Sequence, residues 1–414
     1  MKSKILFLLT VMFLLNGLNN ARELNELAIV SAIGIDLDEN GDYIITSQIL
    51  NTKKENSSGS GSGSSSGSSE IVVFNSKSDN IQTALRNTIK ESPRKLYLAH
   101  MELLLISEKV AKDKEILDTL NFFIRDNEGS NDFMLVVTKN STPQEVLQIT
   151  TPLESNPAQN IKDSILTTHR YKGIATDNIL SDNISMFKRE SQTSMVTAIE
   201  IDQQKKDSNN SEKQEENTQE SSIENINQQE QSSDSNQNSN IKISGLCFFK
   251  YKTLSGYLEN DESYIYNIIM DQADSGIISL GKGEDLMVIE QINSSSKLVP
   301  RIENTEYFID ISVDMSCNIT ETGKNVTLDT EQNIQYYEKQ AGEFLKEKIE
   351  ELIEKSKTVY DCDLFSLGNV FYKYKNNDYN HLKAKYGNDY FKHINTNVDV
   401  NITFPSEGGI NHIW

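Results

Sequence analysis

Residues 28–50 read AIVSAIGI-DLDENGD-YIITSQIL, two β-rich runs around a short polar segment. Asn40-Gly41 between such runs is a strong hairpin signal, because both residues tolerate the positive φ that a tight turn demands. The reading is therefore a strand over Ala28–Ile35, a turn, and a second strand over Tyr43–Leu50.

Working outward, Ile71–Phe74 reads as another strand. Asp79 is placed to cap a helix whose Ile81, Ala84, Leu85, Thr88 and Ile89 share one face. Met101–Ser107 is apolar enough for a buried strand, and Val110–Arg125 for a helix with Ile116, Leu120, Phe123 and Ile124 inward. Phe133–Thr138 is a further strand. Thr142-Pro143-Gln144-Glu145 has the form of a capping box with proline at the first helical position. Later come strands over Ile243–Tyr251, Leu286–Gln291, Glu306–Asn318 and Asn397–Phe404, with a polar turn at Tyr257–Asp261 leading into a helix. The longest helix runs over about 331–357, where Ile334, Tyr337, Ala341, Leu345, Ile349 and Leu352 step by three or four. The class is α+β. The expected arrangement is three mixed domains, each a mainly antiparallel sheet with packed helices, over 21–201, 241–300 and 301–414.

Two segments stand apart by composition. Residues 57–69 are only Ser and Gly, a flexible linker. Residues 202–240 are rich in Gln, Asn, Ser and Glu and carry nine acidic and three basic residues. Ordering such a segment costs on the order of 1 kcal/mol per residue in backbone entropy. Ile223 and Ile226 return only about 2 kcal/mol each if buried, so 202–240 is expected to be a disordered acidic insert.

At the N-terminus, Lys2 and Lys4 precede the apolar run Ile5–Leu15. Eleven helical residues reach about 16 Å, roughly half a bilayer's hydrocarbon thickness. Residues 1–20 thus read as an export signal or signal anchor. The net charge of −21 argues against non-specific binding to nucleic acid or to an anionic membrane surface. Cys247, Cys317 and Cys362 are odd in number, far apart and without CxxC spacing, so neither a disulfide framework nor structural zinc is expected; one pair could still form.

Several patterns suggest chemistry and do not complete it. Asp36-x-Asp38-x-Asn40-Gly41 opens like a calcium loop, but its twelfth position is Ser47 and its flanks are strands, so it reads as a turn. Gly63-Ser64-Ser65-Ser66-Gly67 fits GxSxG only inside a Ser/Gly linker. His100, His169, His381, His393 and His412 have no metal-ligand partner at helical spacing and read as surface or packing residues. Tyr372, Tyr374, Tyr379, Tyr386 and Tyr390 could form a binding platform, though packing is the plainer reading. No nucleophile, base and oxyanion hole come together, so no catalytic, cofactor or metal residues are assigned.

Five blocks in order carry a resemblance: Arg22–Asp36, Ala84–His100, Phe122–Asp126, Gly245–Leu258 and Asp363–Gly368, the last with an Asp-x-x-x-x-Gly pattern. In these the chain resembles the Ger(x)C family of spore-germination lipoproteins. The resemblance implies a three-domain α+β, non-enzymatic subunit of a nutrient germinant receptor at the outer face of the spore inner membrane. Its partners would be an A-type and a B-type membrane subunit. One departure concerns attachment: Leu18 occupies the position where the family has its lipidated cysteine, and leucine offers no thiol to acylate. The competing reading is an exported solute-binding or adhesive surface protein.

Overall fold

A computed structural model describes residues 26–51, 71–126, 129–149, 154–189, 191, 193–202 and 240–405. The N-terminal segment, Leu18, the Ser/Gly segment 57–69 with its GxSxG pattern, His412 and all of the acidic insert except its two ends lie outside these residues.

Strands β1 (Leu27–Leu37) and β2 (Tyr43–Leu50) form the hairpin read from the sequence, with Leu37 opposite Tyr43. The edge strand β3 (Ile71–Ser78) pairs with β2, and helix α1 (Ile81–Asn87) follows. Asn80, rather than Asp79, caps α1: its Oδ1 accepts from Thr83 N at 2.8 Å. On this helical turn Ile89 faces outward, half exposed, because the helix tightens to a 3-10 turn at Thr88.

Short β4 (Lys95–Tyr97) lies parallel to the start of β1, and β5 (Leu103–Ser107) parallel to its middle. The expected single helix 110–125 is two, α2 (Glu108–Asp113) and α3 (Ile116–Arg125). The break is extended backbone at Lys114 and Glu115, fixed by Ile116 N donating to Lys252 O at 2.8 Å. Ile116, Leu120 and Phe123 are buried as expected, while Ile124 lies outside at 40% exposure. Strand β6 (Met134–Thr138) leads to α4 (Pro143–Leu147), whose capping box forms with Thr142 Oγ1 3.2 Å from Glu145 N and Glu145 Oε2 2.8 Å from Thr142 N. Pro143 packs so closely on β1 that a Cβ at Gly34 would stand 2.5 Å from Pro143 Cβ. Helices α5 (Pro157–Lys172) and α6 (Leu180–Phe187) lead to β7 (Thr193–Ile201).

Beyond the insert the chain adds β8 (Ile241–Lys250) and β9 (Thr253–Leu258) to the same sheet. Its order is β3-β2-β1-β5-β6-β7-β8-β9, with β4 beside β1. The class is α+β, but this sheet is mixed rather than mainly antiparallel: β1, β5, β6 and β7 run parallel through its middle. Parallel neighbours need crossovers, which the helices supply, and they are covered on both faces. The fully buried LLLIS and MLVVT of β5 and β6 are sequences of that kind. Residues 202 and 240 belong to the β7–β8 hairpin, since Asp202 N donates to Asn240 O at 2.8 Å.

Helix α7 (Asn260–Ile269) passes to a second sheet of β10 (Ile277–Leu280), β11 (Met287–Glu303), β12 (Glu306–Thr322) and β13 (Ile394–Thr403). Residues 241–300, expected as a middle domain, thus contribute strands to both sheets. Strands β11 and β12 are longer than the sequence suggests and meet at Asn304-Thr305, both with positive φ. Helix α8 (Glu331–Thr358) buries Ala341, Leu345, Ile349 and Leu352, with Ile334 and Tyr337 only partly covered; α9 (Leu367–Tyr374) and α10 (Asn376–Tyr386) follow. One apolar cluster runs from Met195, Leu246 and Phe248 of the first sheet through Ile265 and Ile268 to Ile309, Val313 and Leu345. All three cysteines are free and buried.

Candidate functional site at the seam between the sheets

Where the second sheet's helices meet the first sheet, buried polar groups converge on the segment 360–368. After α8 the chain turns through Asp361 and Ser366, both at positive φ, and starts α9. Asp363 is 5% exposed. Its Oδ1 accepts from Leu367 N at 2.7 Å, and its Oδ2 from Gly368 N at 2.9 Å and Tyr390 OH at 3.1 Å. A carboxylate at a helix start takes up N–H groups that have no partner within the helix. Burial is nonetheless the largest influence, and it pushes the Asp363 carboxyl up from the ordinary 3.8. The Asp-x-x-x-x-Gly spacing has a physical reason here. The glycine brings its N–H to the carboxylate and leaves room for Tyr390, whose Cε2 would stand 2.2 Å from a Cβ at Gly368.

Around this knot the two sheets exchange bonds. Ser191 and Ser366 hydroxyls are 3.1 Å apart, and Thr193 Oγ1 lies 3.5 Å from Cys362 Sγ. Lys250 Nζ reaches Asp361 Oδ2 at 2.7 Å, and Lys392 binds the other oxygen. These two ammonium groups hold the Asp361 carboxyl below its ordinary range. Tyr360 OH donates to Glu262 Oε2 at 2.9 Å while Lys355 holds Oε1, a link from α8 to α7. The small cavity here is lined by Ser191, Thr193, Lys250, Tyr251, Lys383 and Asn388 beside Asp363 and Tyr390. Burial pushes the Cys362 thiol up to about 12, which holds it in the neutral form. The arrangement orients and locks.

The other singled-out residues lie apart. Asp38 Oδ1 accepts from Asn40 N at 2.8 Å and Asp42 N at 2.9 Å, a turn, and Lys77 occupies Oδ2. The lysine bond holds the Asp38 carboxyl at about 2. His100 packs edge-on to Tyr97, and His169 Nδ1 is 3.0 Å from Ala175 O. His393 stacks on Tyr386 with centroids 3.6 Å apart, and His381 is exposed. Among the described residues no group of His, Cys, Asp and Glu is placed to hold a metal. The tyrosines divide. Tyr379 and Tyr390 are buried with ring centroids 5.7 Å apart, whereas Tyr372 and Tyr374 are 46% and 62% exposed. The Glu262–Lys355–Tyr360 link and the Tyr390 contact escaped the sequence reading, since partners so distant in the chain leave no local spacing. Among the described residues no helix is long and apolar enough to cross a membrane.

Comparison with known proteins accounts for the placement of these blocks. Residues 20–201 match the spore germination protein N-terminal domain, and residues 244–408 match the spore germination B3/GerAC-like C-terminal domain. Spore germination protein KC of Bacillus subtilis (strain 168) is 26% identical over 398 residues, covering 95% of this chain and 92% of that protein. Spore germination protein B3 of the same organism is 22% identical over 323 residues, 77% and 75% of the two chains. The crystal structure of the GerBC protein shares the fold, with a TM-score of 0.54, 16% identity, and coverage of 90% of this chain and 96% of that one. With both domain models matched in order, and with the Asp363–Gly368 knot lying within the second, the chain belongs to the GerC-type family of spore germination proteins.

Proposed function

We propose that this protein is the non-enzymatic C-type subunit of a nutrient germinant receptor. It acts with A-type and B-type membrane subunits at the outer face of the spore inner membrane. The observation that supports this best is the match of both spore-germination domain models, in order, over residues 20–201 and 244–408. A body whose buried polar groups lock two sheets together suits an assembly role. Attachment then rests on the N-terminal apolar run and on the partner subunits, because Leu18 provides no thiol for a lipid.

The test is co-purification of the tagged chain with its multi-span subunits from spores, beside palmitate labelling of the native chain and of Leu18→Cys. The expected result is a three-subunit complex, a germination defect on deletion of the gene, and label only in Leu18→Cys. Normal nutrient response in the deletion strain would overturn the receptor role. Label in the native chain would overturn the account of attachment.

A further inference from the structure

Because β1, β5, β6 and β7 run parallel, all four begin at one end of the first sheet, and antiparallel β2 and β8 finish there. At this end the chain enters the described fold at Glu26–Leu27, and the β8–β9 turn presents Lys250, Tyr251 and Lys252. The opposite end holds the 38–42 turn and the β7–β8 tip, from which the insert with nine acidic and three basic residues departs.

The α9–α10 hairpin sits against the Lys250–Lys252 turn, since Lys250, Tyr251, Lys383 and Asn388 line one cavity and Asp361 bridges Lys250 to Lys392. Residues 367–393 hold five lysines against two aspartates, a surplus of positive charge in a chain whose total is −21. Tyr251, Tyr372 and Tyr374 are 44%, 46% and 62% exposed. Lys373 Nζ lies 5.1 Å from the centroid of the Tyr374 ring, and Lys385 Nζ 4.8 Å from that of Tyr386. Exposed lysines interleaved with tyrosines are unlike the core of a protein–protein interface, which is depleted of charge. They suit a bilayer surface, where the phenol ring sits at headgroup level and the ammonium meets phosphate.

We propose that this end of the molecule, the α9–α10 hairpin with the β8–β9 turn, rests on the surface of an anionic lipid bilayer. The end of the sheet that carries Asp202 and Asn240 then faces away from the headgroups, and the end at which the chain enters the described fold at Glu26 faces the bilayer. The inference rests on the membrane association proposed above, but it concerns lipid contact made by the folded body without other subunits.

The experiment is flotation of the purified full-length chain with vesicles of phosphatidylcholine alone or with about 30% phosphatidylglycerol added. The double variant Lys373→Glu/Lys385→Glu is compared with Lys242→Glu/Lys324→Glu, the same charge change at exposed lysines elsewhere. With each lysine near an anionic surface worth about fivefold in affinity, the first variant should lose at least tenfold on phosphatidylglycerol vesicles. The second should stay within about twofold of the native chain, all three melting alike. Equal losses in both variants would mean that total charge alone acts, and binding indifferent to phosphatidylglycerol would mean that the N-terminal segment inserts unaided. Either result overturns the proposal. So does full vesicle binding by the first variant together with loss of its co-purification with the membrane subunits, which would assign the face to a protein. Failure of the receptor reading shows separately, as loss of co-purification by the native chain.

Discussion

Gly368→Ala tests the knot at the seam. Gly368 lies in the first turn of α9 with an ordinary negative φ, and alanine in a helix is normally favoured over glycine by about 1 kcal/mol. The structure reverses that expectation. An added Cβ would stand 2.2 Å from Tyr390 Cε2, 2.5 Å from Cζ and 2.4 Å from the hydroxyl, and this buried ring is packed against Tyr379 and Phe391. Relief requires the ring to move by more than an ångström, which pulls its hydroxyl from Asp363 Oδ2, now 3.1 Å away. Overpacking costs about 1–3 kcal/mol and a lost hydrogen bond to a charged group about 1.5–3. Net of the helix gain, about 3 kcal/mol is expected. Tyr390→Phe alone loses only the hydrogen bond, about 2 kcal/mol. Because Gly368→Ala already breaks that bond, the double variant should cost less than the sum of the singles by about 1.5–2 kcal/mol. Urea unfolding of the three variants measures this cycle. Additivity within about 0.5 kcal/mol, or a Gly368→Ala protein as stable as the native chain, would refute the reasoning.

Asp363→Asn removes a carboxyl whose folded-state pKa is raised by burial above the ordinary 3.8. The protonated acid therefore favours the fold below that value, and this contribution is lost as pH rises through the raised folded pKa. Unfolding titrations should show the native chain losing stability relative to Asp363→Asn over that window; a constant difference from acid to neutral pH would count against it. A third prediction replaces residues 203–239 by Asp-Gly. The hairpin is already closed by Asp202 N to Asn240 O and by Ile201 paired with Ile241, so a two-residue turn fits. About four halvings of loop length at roughly 0.6 kcal/mol each should stabilise the protein by about 2 kcal/mol, with nutrient germination intact. A destabilised variant in chemical denaturation would mean that the insert packs.

The legible parts of the fold were those whose cause is local. The β1–β2 hairpin follows from Asn40-Gly41 between apolar runs, and the α4 start from Thr142-Pro143-x-Glu145. The buried stripe of α8 follows from its three-and-four spacing. Strand β7 was hidden because three of its buried residues are polar. Thr197 bonds Thr176 O and Ser194 bonds Asn183 Oδ1, so TSMVTAIEI buries hydroxyls that look exposed in sequence. Helix α5 did carry a local cue in Asn156-Pro157, a cap followed by proline, but its apolar face is thin. Ser294-Ser295-Ser296 reads as loop, and cross-strand pairing with Asp314 and its neighbours makes it strand. At the seam, Asp363 and Gly368 were visible as a spacing, while Tyr390 gives that spacing its meaning and lies 27 residues from Asp363.

The two family models part between residues 201 and 244, yet the fold is not divisible there. Strand β8 lies beyond the division and pairs along the whole of β7, burying Leu246 and Phe248 on one face and Cys247 and Phe249 on the other. At about 2 kcal/mol for each such side chain, losing β8 alone forfeits about 8 kcal/mol, comparable with the whole stability of a typical domain. Helix α7 extends the dependence to the second sheet. Asn267 Nδ2 donates to Gly173 O at 2.6 Å and to Ala175 O at 2.9 Å, just after α5, while Tyr264 OH donates to Gln291 Oε1 of β11 at 2.6 Å. The same buried helix thus bonds the chain after α5 and the second sheet. Exposed ion pairs such as Lys252–Glu115 add at most about 1 kcal/mol each, so the continuous apolar cluster governs how the sheets sit. Residues before and after the insert therefore fold as one unit, and the acidic insert hangs from a hairpin within it rather than linking two bodies.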